Sequence, residues 1–111
     1  MDREKVLKDY EGALNKEAIT KTNLMEAKIV LDGMWADLYE LFSSIKEGDK
    51  KLSEKRIENN IIRDSRYRII EVDYRKAYLE AHLASAKVKH LEAVLMLETK
   101  YSYKLILDKE D

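Results

Sequence analysis

The sequence predicts an all-α fold: a long antiparallel helical hairpin, coiled-coil-like, that assembles into an oligomeric bundle. Three observations predict it. The chain has no proline and only three glycines, and 39% of its residues are charged. Apolar residues recur at helical spacing in both halves, and one short polar break near Gly48 separates them. Such composition and spacing favour long helices over sheets. The 111 residues are expected to form a single helical domain, 1–111.

The first helix is predicted over about residues 2–46. Leu7, Tyr10 and Leu14 begin its apolar pattern, which resumes at Leu24 and continues to Ile45. A second line repeats every seven residues, as helices packed lengthwise require; its members are Val6, Ala13, Thr20, Ala27, Met34 and Leu41. Gly33 inside this helix permits either close helix approach or a bend, and close approach is the simpler interpretation.

The connection is predicted over about residues 47–52. Gly48 suits the left-handed conformation that ends a helix. Ser53 is a good N-cap, and Glu54 follows in the positive first turn of the next helix. A connection this short returns the chain antiparallel to the first helix.

The second helix is predicted over about residues 53–107, and it carries the strongest pattern in the chain. Apolar or small residues alternate there at steps of three and four, which is typical of a helix packed along another helix. These residues form the predicted oligomer interface: Tyr74, Ala77, Ala81, Ala84, Val88, Leu91 and Leu95. A second row, on a neighbouring face, contains Leu79, Leu83, Ala86, Val94, Leu97 and Tyr101. Together the rows are wider than one partner helix covers, which predicts a homo-oligomer.

Signals for catalysis, metals and cofactors are missing from the sequence. There is no cysteine, and the two histidines, His82 and His90, are eight residues apart rather than the four that place a metal pair on one helix face. No serine has a nucleophile elbow, and no glycine-rich phosphate loop occurs. We therefore expect no enzyme activity, no metal and no cofactor. No apolar stretch approaches the ~20 residues of a membrane span, so we expect no membrane contact and a cytoplasmic location.

A basic middle segment is the candidate nucleic-acid site. Residues 45–76 contain ten basic and seven acidic side chains. Cationic groups neutralise phosphates, and a tyrosine can stack on an unpaired base. The candidate residues are Lys50, Lys51, Lys55, Arg56, Arg63, Arg66 and Tyr67. The alternative is an ordinary solvated face, because Glu54, Glu58 and Asp64 are close enough to pair with these cations. Tyr67 also falls on the apolar pattern, where a core position is the alternative.

Several short segments resemble a known class of proteins. They are Glu26-Ala27-Lys28, Ser53-Glu54-Lys55-Arg56, Asp64-x-x-Tyr67 and Tyr74-x-x-Ala77. With them the chain, over about residues 24–100, resembles the small helical proteins of phage recombination modules, in particular the UvsY-type recombination mediators. The resemblance implies a short, oligomeric, helical protein that binds single-stranded DNA near Lys55, Arg56, Arg63 and Arg66. It further implies a recombinase or a single-strand binding protein as a partner, and the host cytoplasm as the location of a phage-encoded chain.

Two functional hypotheses follow. The first is a non-enzymatic, phage-like accessory factor in DNA recombination that binds single-stranded DNA and assists a recombinase. The alternative is a helical protein–protein interaction module without nucleic-acid binding, such as a phage inhibitor of a host defence protein or a structural scaffold.

Overall fold

The computed structural model describes the backbone of residues 2–110 and the side chains of residues 2–100. The elements in chain order are α1 (Arg3–Ser43), β1 (Lys46–Glu47), β2 (Lys50–Lys51), α2 (Glu54–Arg63) and α3 (Ser65–Glu110). The long helices α1 and α3 pack against each other, so the predicted all-α helical hairpin is confirmed. Its assembly into an oligomer stays a prediction. The side chain of Tyr101, in the predicted second row, lies outside the described residues.

The connection after α1 is a small β-hairpin rather than a simple turn. Lys46 pairs with Lys51, and Glu47 pairs with Lys50, in an antiparallel ladder. Gly48 has a φ of 64°, so the predicted left-handed conformation is confirmed. It lies at the tip of this hairpin, however, because α1 already ends at Ser43.

Asp64 divides the predicted second helix into α2 and α3. Its backbone is extended, with φ −67° and ψ 130°, and its N–H donates to the carbonyl of Ile61 at 3.0 Å. Its carboxylate accepts the backbone N–H of Arg66 at 2.9 Å. An aspartate that caps the following helix in this way competes with continuation of the preceding one. The predicted N-cap of α2 is confirmed, since the Ser53 hydroxyl accepts the N–H of Arg56 at 3.3 Å.

Two compact units make up the chain. Unit 1 contains the residues up to Lys21 and those from Glu80 onward, and unit 2 is Thr22–Leu79. Small side chains fill the interior of unit 1, and small side chains let two helices approach closely. Among the side chains of unit 1 that the structure describes, the buried ones are Val6, Ala13, Thr20, Ala81, Ala84 and Val88. The Tyr10 hydroxyl donates to Glu92 at 2.9 Å and so links α1 to α3 in this unit.

Larger side chains form the core of unit 2. The buried residues are Leu38, Ile57, Ile61 and Tyr67. Ile57 and Ile61 are four residues apart, so α2 places both on one face. Around them pack Leu31, Met34, Trp35, Phe42 and Leu52. Gly33 is outside this packing, because a Cβ built there meets nothing within 4 Å. The interpretation of Gly33 as a point of close helix approach was therefore wrong.

Candidate interaction surfaces

Four of the predicted nucleic-acid residues are exposed cations that make no ion pair with another described side chain. Lys50 and Lys51 lie on β2, and Lys55 and Arg63 lie on α2. At 3.6 residues per turn, Lys55 and Arg63 lie on the side of α2 that faces away from the buried Ile57 and Ile61. None of the four makes an ion pair among the described side chains. Their charges remain available to an anion.

Arg56 is held by an acid of the β-hairpin. Its guanidinium donates two hydrogen bonds to the Glu47 carboxylate, one of them from Nη1 at 2.6 Å. This bidentate arrangement lowers the pKa of Glu47 and raises the pKa of Arg56. The cation therefore joins α2 to β1, and its donors already have an acceptor.

Arg66 is held in the same way at the start of α3. Its Nε and Nη2 donate to Asp64 at 3.0 and 2.9 Å. These side-chain hydrogen bonds, with help from the backbone N–H of Arg66, lower the pKa of Asp64 from 3.8 to about 2. The ion pair thus stabilises the cap that separates α2 from α3.

Tyr67 lies in the core of unit 2. The residue is 9% exposed, and its ring meets the indole of Trp35 edge to face, with centroids 5.6 Å apart and an angle of 69° between the planes. Burial is the main cause that raises the pKa of its hydroxyl, followed by the nearby charge of Glu71. No face of the ring is left for a base to stack on.

Much of the predicted oligomer interface is covered within the chain. In unit 1, Ala81, Ala84 and Val88 are buried, and Leu91 and Leu95 are partly buried. In unit 2, Tyr74 and Ala77 are partly buried. Spacing at three and four predicts that a helix packs along this face. It does not distinguish a helix of the same chain from a helix of another copy.

Unit 2 contains an apolar groove that the sequence pattern does not predict. It has a volume of about 410 Å³ and is lined by Leu24, Met25, Lys28, Ile29, Tyr74 and Tyr78. Met25 and Ile29 are 67% and 70% exposed. The Lys28 ammonium lies 6.0 Å from the centre of the Tyr74 ring, and it also contacts Asp32 at 3.4 Å. Only the pairing of α1 with α3 brings these residues together, so no local signal predicts the groove.

The outer face of α3, opposite the side that packs on α1, carries further exposed apolar residues. In unit 2 this outer face contains a row of four exposed residues, Ile69, Val72, Lys76 and Leu79. In unit 1 the outer face of α3 contains five exposed residues at steps of three and four. They are Leu83, Ala86, His90, Ala93 and Leu97. Leu79, Leu83, Ala86 and Leu97 belong to the second row of apolar residues in the sequence of this helix.

Neither a metal centre nor a membrane span is found in the part of the chain that the structure describes. No three histidine or acidic side chains there are grouped so as to hold a metal ion. None of its helices combines the length and hydropathy that a bilayer crossing needs. Comparison with protein-family models, curated proteins and solved structures finds no match to this chain.

Proposed function

We propose that this chain is a non-catalytic helical module that binds a partner protein. The observation that carries the proposal is the groove of unit 2, where Met25 and Ile29 leave about two thirds of their surface exposed beside two tyrosines. A contiguous apolar surface of this kind on a highly charged chain is typical of a protein-binding site.

The form of the groove favours a partner helix over a small molecule. Sites for small ligands enclose most of the ligand surface. Here the lining residues Met25 and Ile29 are themselves mostly exposed, so the groove is shallow. The groove lies between α1 and α3, which run side by side. A groove between two helices accepts the apolar face of an amphipathic helix. We therefore infer that the partner contributes a helix with apolar residues three or four positions apart.

The partner is tested by affinity capture with the full chain and two variants. The groove variant carries Met25→Lys and Ile29→Lys, and the control variant carries Lys50→Glu and Lys51→Glu. All four positions are exposed, so both variants should fold as the parent does, as circular dichroism will show. A protein captured by the parent is purified and titrated against all three by calorimetry. We expect the groove variant to lose at least tenfold in affinity, about 1.4 kcal/mol. The control variant should bind with the affinity of the parent. Binding by the parent and the control should show a negative heat-capacity change, because it buries apolar surface. Equal binding by all three proteins would contradict the proposal.

Single-stranded DNA is the second candidate ligand, as in a recombination accessory factor that assists a recombinase. It is favoured by one observation: Lys50, Lys51, Lys55 and Arg63 are exposed and unpaired among the described residues. Against it stand the ion pairs of Arg56 and Arg66 and the burial of Tyr67.

The DNA hypothesis is tested with a fluorescent oligonucleotide at several salt concentrations. Four phosphate contacts on a single strand predict a slope of about −2.8 in a plot of log affinity against log salt concentration. The Lys55→Glu and Arg63→Glu double variant should abolish the binding. No binding by the parent at low salt would remove this candidate and leave the protein-binding proposal standing.

A further inference from the structure

We propose that two copies of this chain pair in parallel through the outer face of α3 in unit 2. The face consists of Ile69, Val72, Lys76 and Leu79, at steps of three, four and three. The three apolar members are 66%, 64% and 58% exposed. On the opposite side of the same helix, Tyr67 is buried against α1. This part of α3 therefore carries two helix-packing faces, and the chain itself covers one of them.

The residue types on the outer face fit a two-stranded pairing. In a heptad frame, Ile69 and Lys76 occupy a positions, and Val72 and Leu79 occupy d positions. β-branched residues at a and leucine at d favour two parallel strands. Ile69 and Leu79 meet this preference, whereas Val72 at d and Lys76 at a do not. In such a pair each residue of the row packs against its counterpart in the second copy.

Charge complementarity selects the second copy as the occupant and sets its direction. Arg68 and Asp73 flank the row at g and e positions, five residues apart. Both are exposed, and neither makes an ion pair within the described side chains. Parallel pairing places Arg68 of each copy beside Asp73 of the other, twice by symmetry. Antiparallel pairing would instead bring Arg68 beside Arg75, which is also at g, and like charges would repel.

Lys76 fixes how the two copies of α3 align, and it lowers the affinity of the dimer. It is the one charged residue of this row, and parallel pairing brings its ammonium group close to the same group of the second copy. A single polar residue at an a position weakens a coiled coil but disfavours other registers and larger assemblies. The structure thus predicts a weak dimer that strengthens when this charge is removed.

Sedimentation equilibrium of the full chain tests the charge pairing. Arg68→Glu and Asp73→Lys should each weaken dimerisation about tenfold, because each places like charges in both contacts. An equimolar mixture of the two variants should regain the parent affinity, since both contacts then join opposite charges. Lys76→Leu should tighten the dimer about tenfold, whereas Lys50→Glu, outside the face, should leave it unchanged. Monomeric behaviour of both the parent and Lys76→Leu at millimolar concentration would overturn the proposal, as would a mixture no tighter than its components.

Cysteine cross-linking tests the direction independently. The chain contains no cysteine, so Val72→Cys and Leu79→Cys each introduce a single thiol. Parallel in-register pairing places counterparts at d positions within disulfide distance. Both variants should form covalent dimers under mild oxidation with diamide, and Lys55→Cys should not. Cross-linking at only one of the two row positions, or at neither, would contradict parallel pairing. The row shares no residue with the groove of unit 2, so failure here leaves the proposed function untouched.

Discussion

The indole of Trp35 and the ring of Tyr67 meet edge to face across the interior of unit 2, with their centroids 5.6 Å apart. The contact joins α1 to the first turns of α3, just after the break at Asp64. Edge-to-face aromatic pairs contribute about 0.5–1.5 kcal/mol beyond the area that they bury. This contact therefore fixes where α3 begins to pack on α1, and it makes Tyr67 a structural residue.

Truncation of this ring should destabilise the fold strongly. We expect Tyr67→Ala to lower the free energy of unfolding by about 3–5 kcal/mol, because it leaves a cavity beside Trp35. Tyr67→Phe retains the ring and should cost less than about 1.5 kcal/mol. Urea denaturation followed by circular dichroism measures both values. A cost below about 1 kcal/mol for Tyr67→Ala would show that the ring is not part of the core.

Two glycines should respond to alanine in opposite directions. Gly12 lies within α1, and a Cβ there meets nothing within 4 Å, so Gly12→Ala should stabilise the protein by about 0.5–1 kcal/mol. Gly48 has a positive φ at the hairpin tip, so Gly48→Ala should destabilise it by about 1–2 kcal/mol. Thermal denaturation of the two variants measures the difference. Destabilisation by Gly12→Ala would show that the space around this residue is occupied.

The two faces of α3 in unit 1 should differ in their tolerance of added volume. Ala84 is 5% exposed, so Ala84→Leu should overpack the interior and cost about 1–3 kcal/mol. Ala86 is exposed on the same helix, so Ala86→Leu should change the stability by less than about 0.5 kcal/mol. Chemical denaturation of the pair measures this contrast. Equal costs at the two positions would contradict the assignment of the buried face.

The cap at Asp64 should make stability depend on pH in the acid range. The pKa of Asp64 is 3.8 in an ordinary environment and about 2 in the folded chain. Its stabilising contribution is therefore present above pH 4 and is lost as the pH falls through 3.8 toward 2. Asp64→Asn retains a capping side chain but removes the ion pair with Arg66. We expect the parent to melt at a higher temperature than Asp64→Asn at pH 6, with the difference shrinking as the pH falls from 3.8 toward 2.

A matched control isolates this effect from the titration of other carboxylates. Asp37 is exposed and makes no ion pair with any side chain that the structure describes. Asp37→Asn should therefore have the same melting temperature as the parent at pH 6. A difference between the parent and Asp64→Asn that stays constant from pH 6 to pH 2 would rule out the proposed role of the cap.

The sequence predicts this fold well because helix periodicity is a local property. The Ser53 cap and the left-handed Gly48 also follow from local preferences, and both are observed. The break at Asp64 was not predicted, because aspartate occurs both inside helices and as an N-cap. The sequence around Asp64 alone does not distinguish the two. Which cations are free could not be predicted either, because the bidentate contact of Arg56 with Glu47 depends on the β-hairpin.

Photo-cross-linking at Ile29 shows directly whether the groove of unit 2 binds a partner protein. Benzoylphenylalanine is placed at Ile29 in the groove or at Lys55 on the basic face, and each protein is irradiated in an extract of its source cells. If a partner helix occupies the groove, position 29 should give one discrete protein adduct that is lost when Met25→Lys is added, and position 55 should give no such adduct. An adduct with protein or nucleic acid at position 55, with none at position 29, would contradict this expectation.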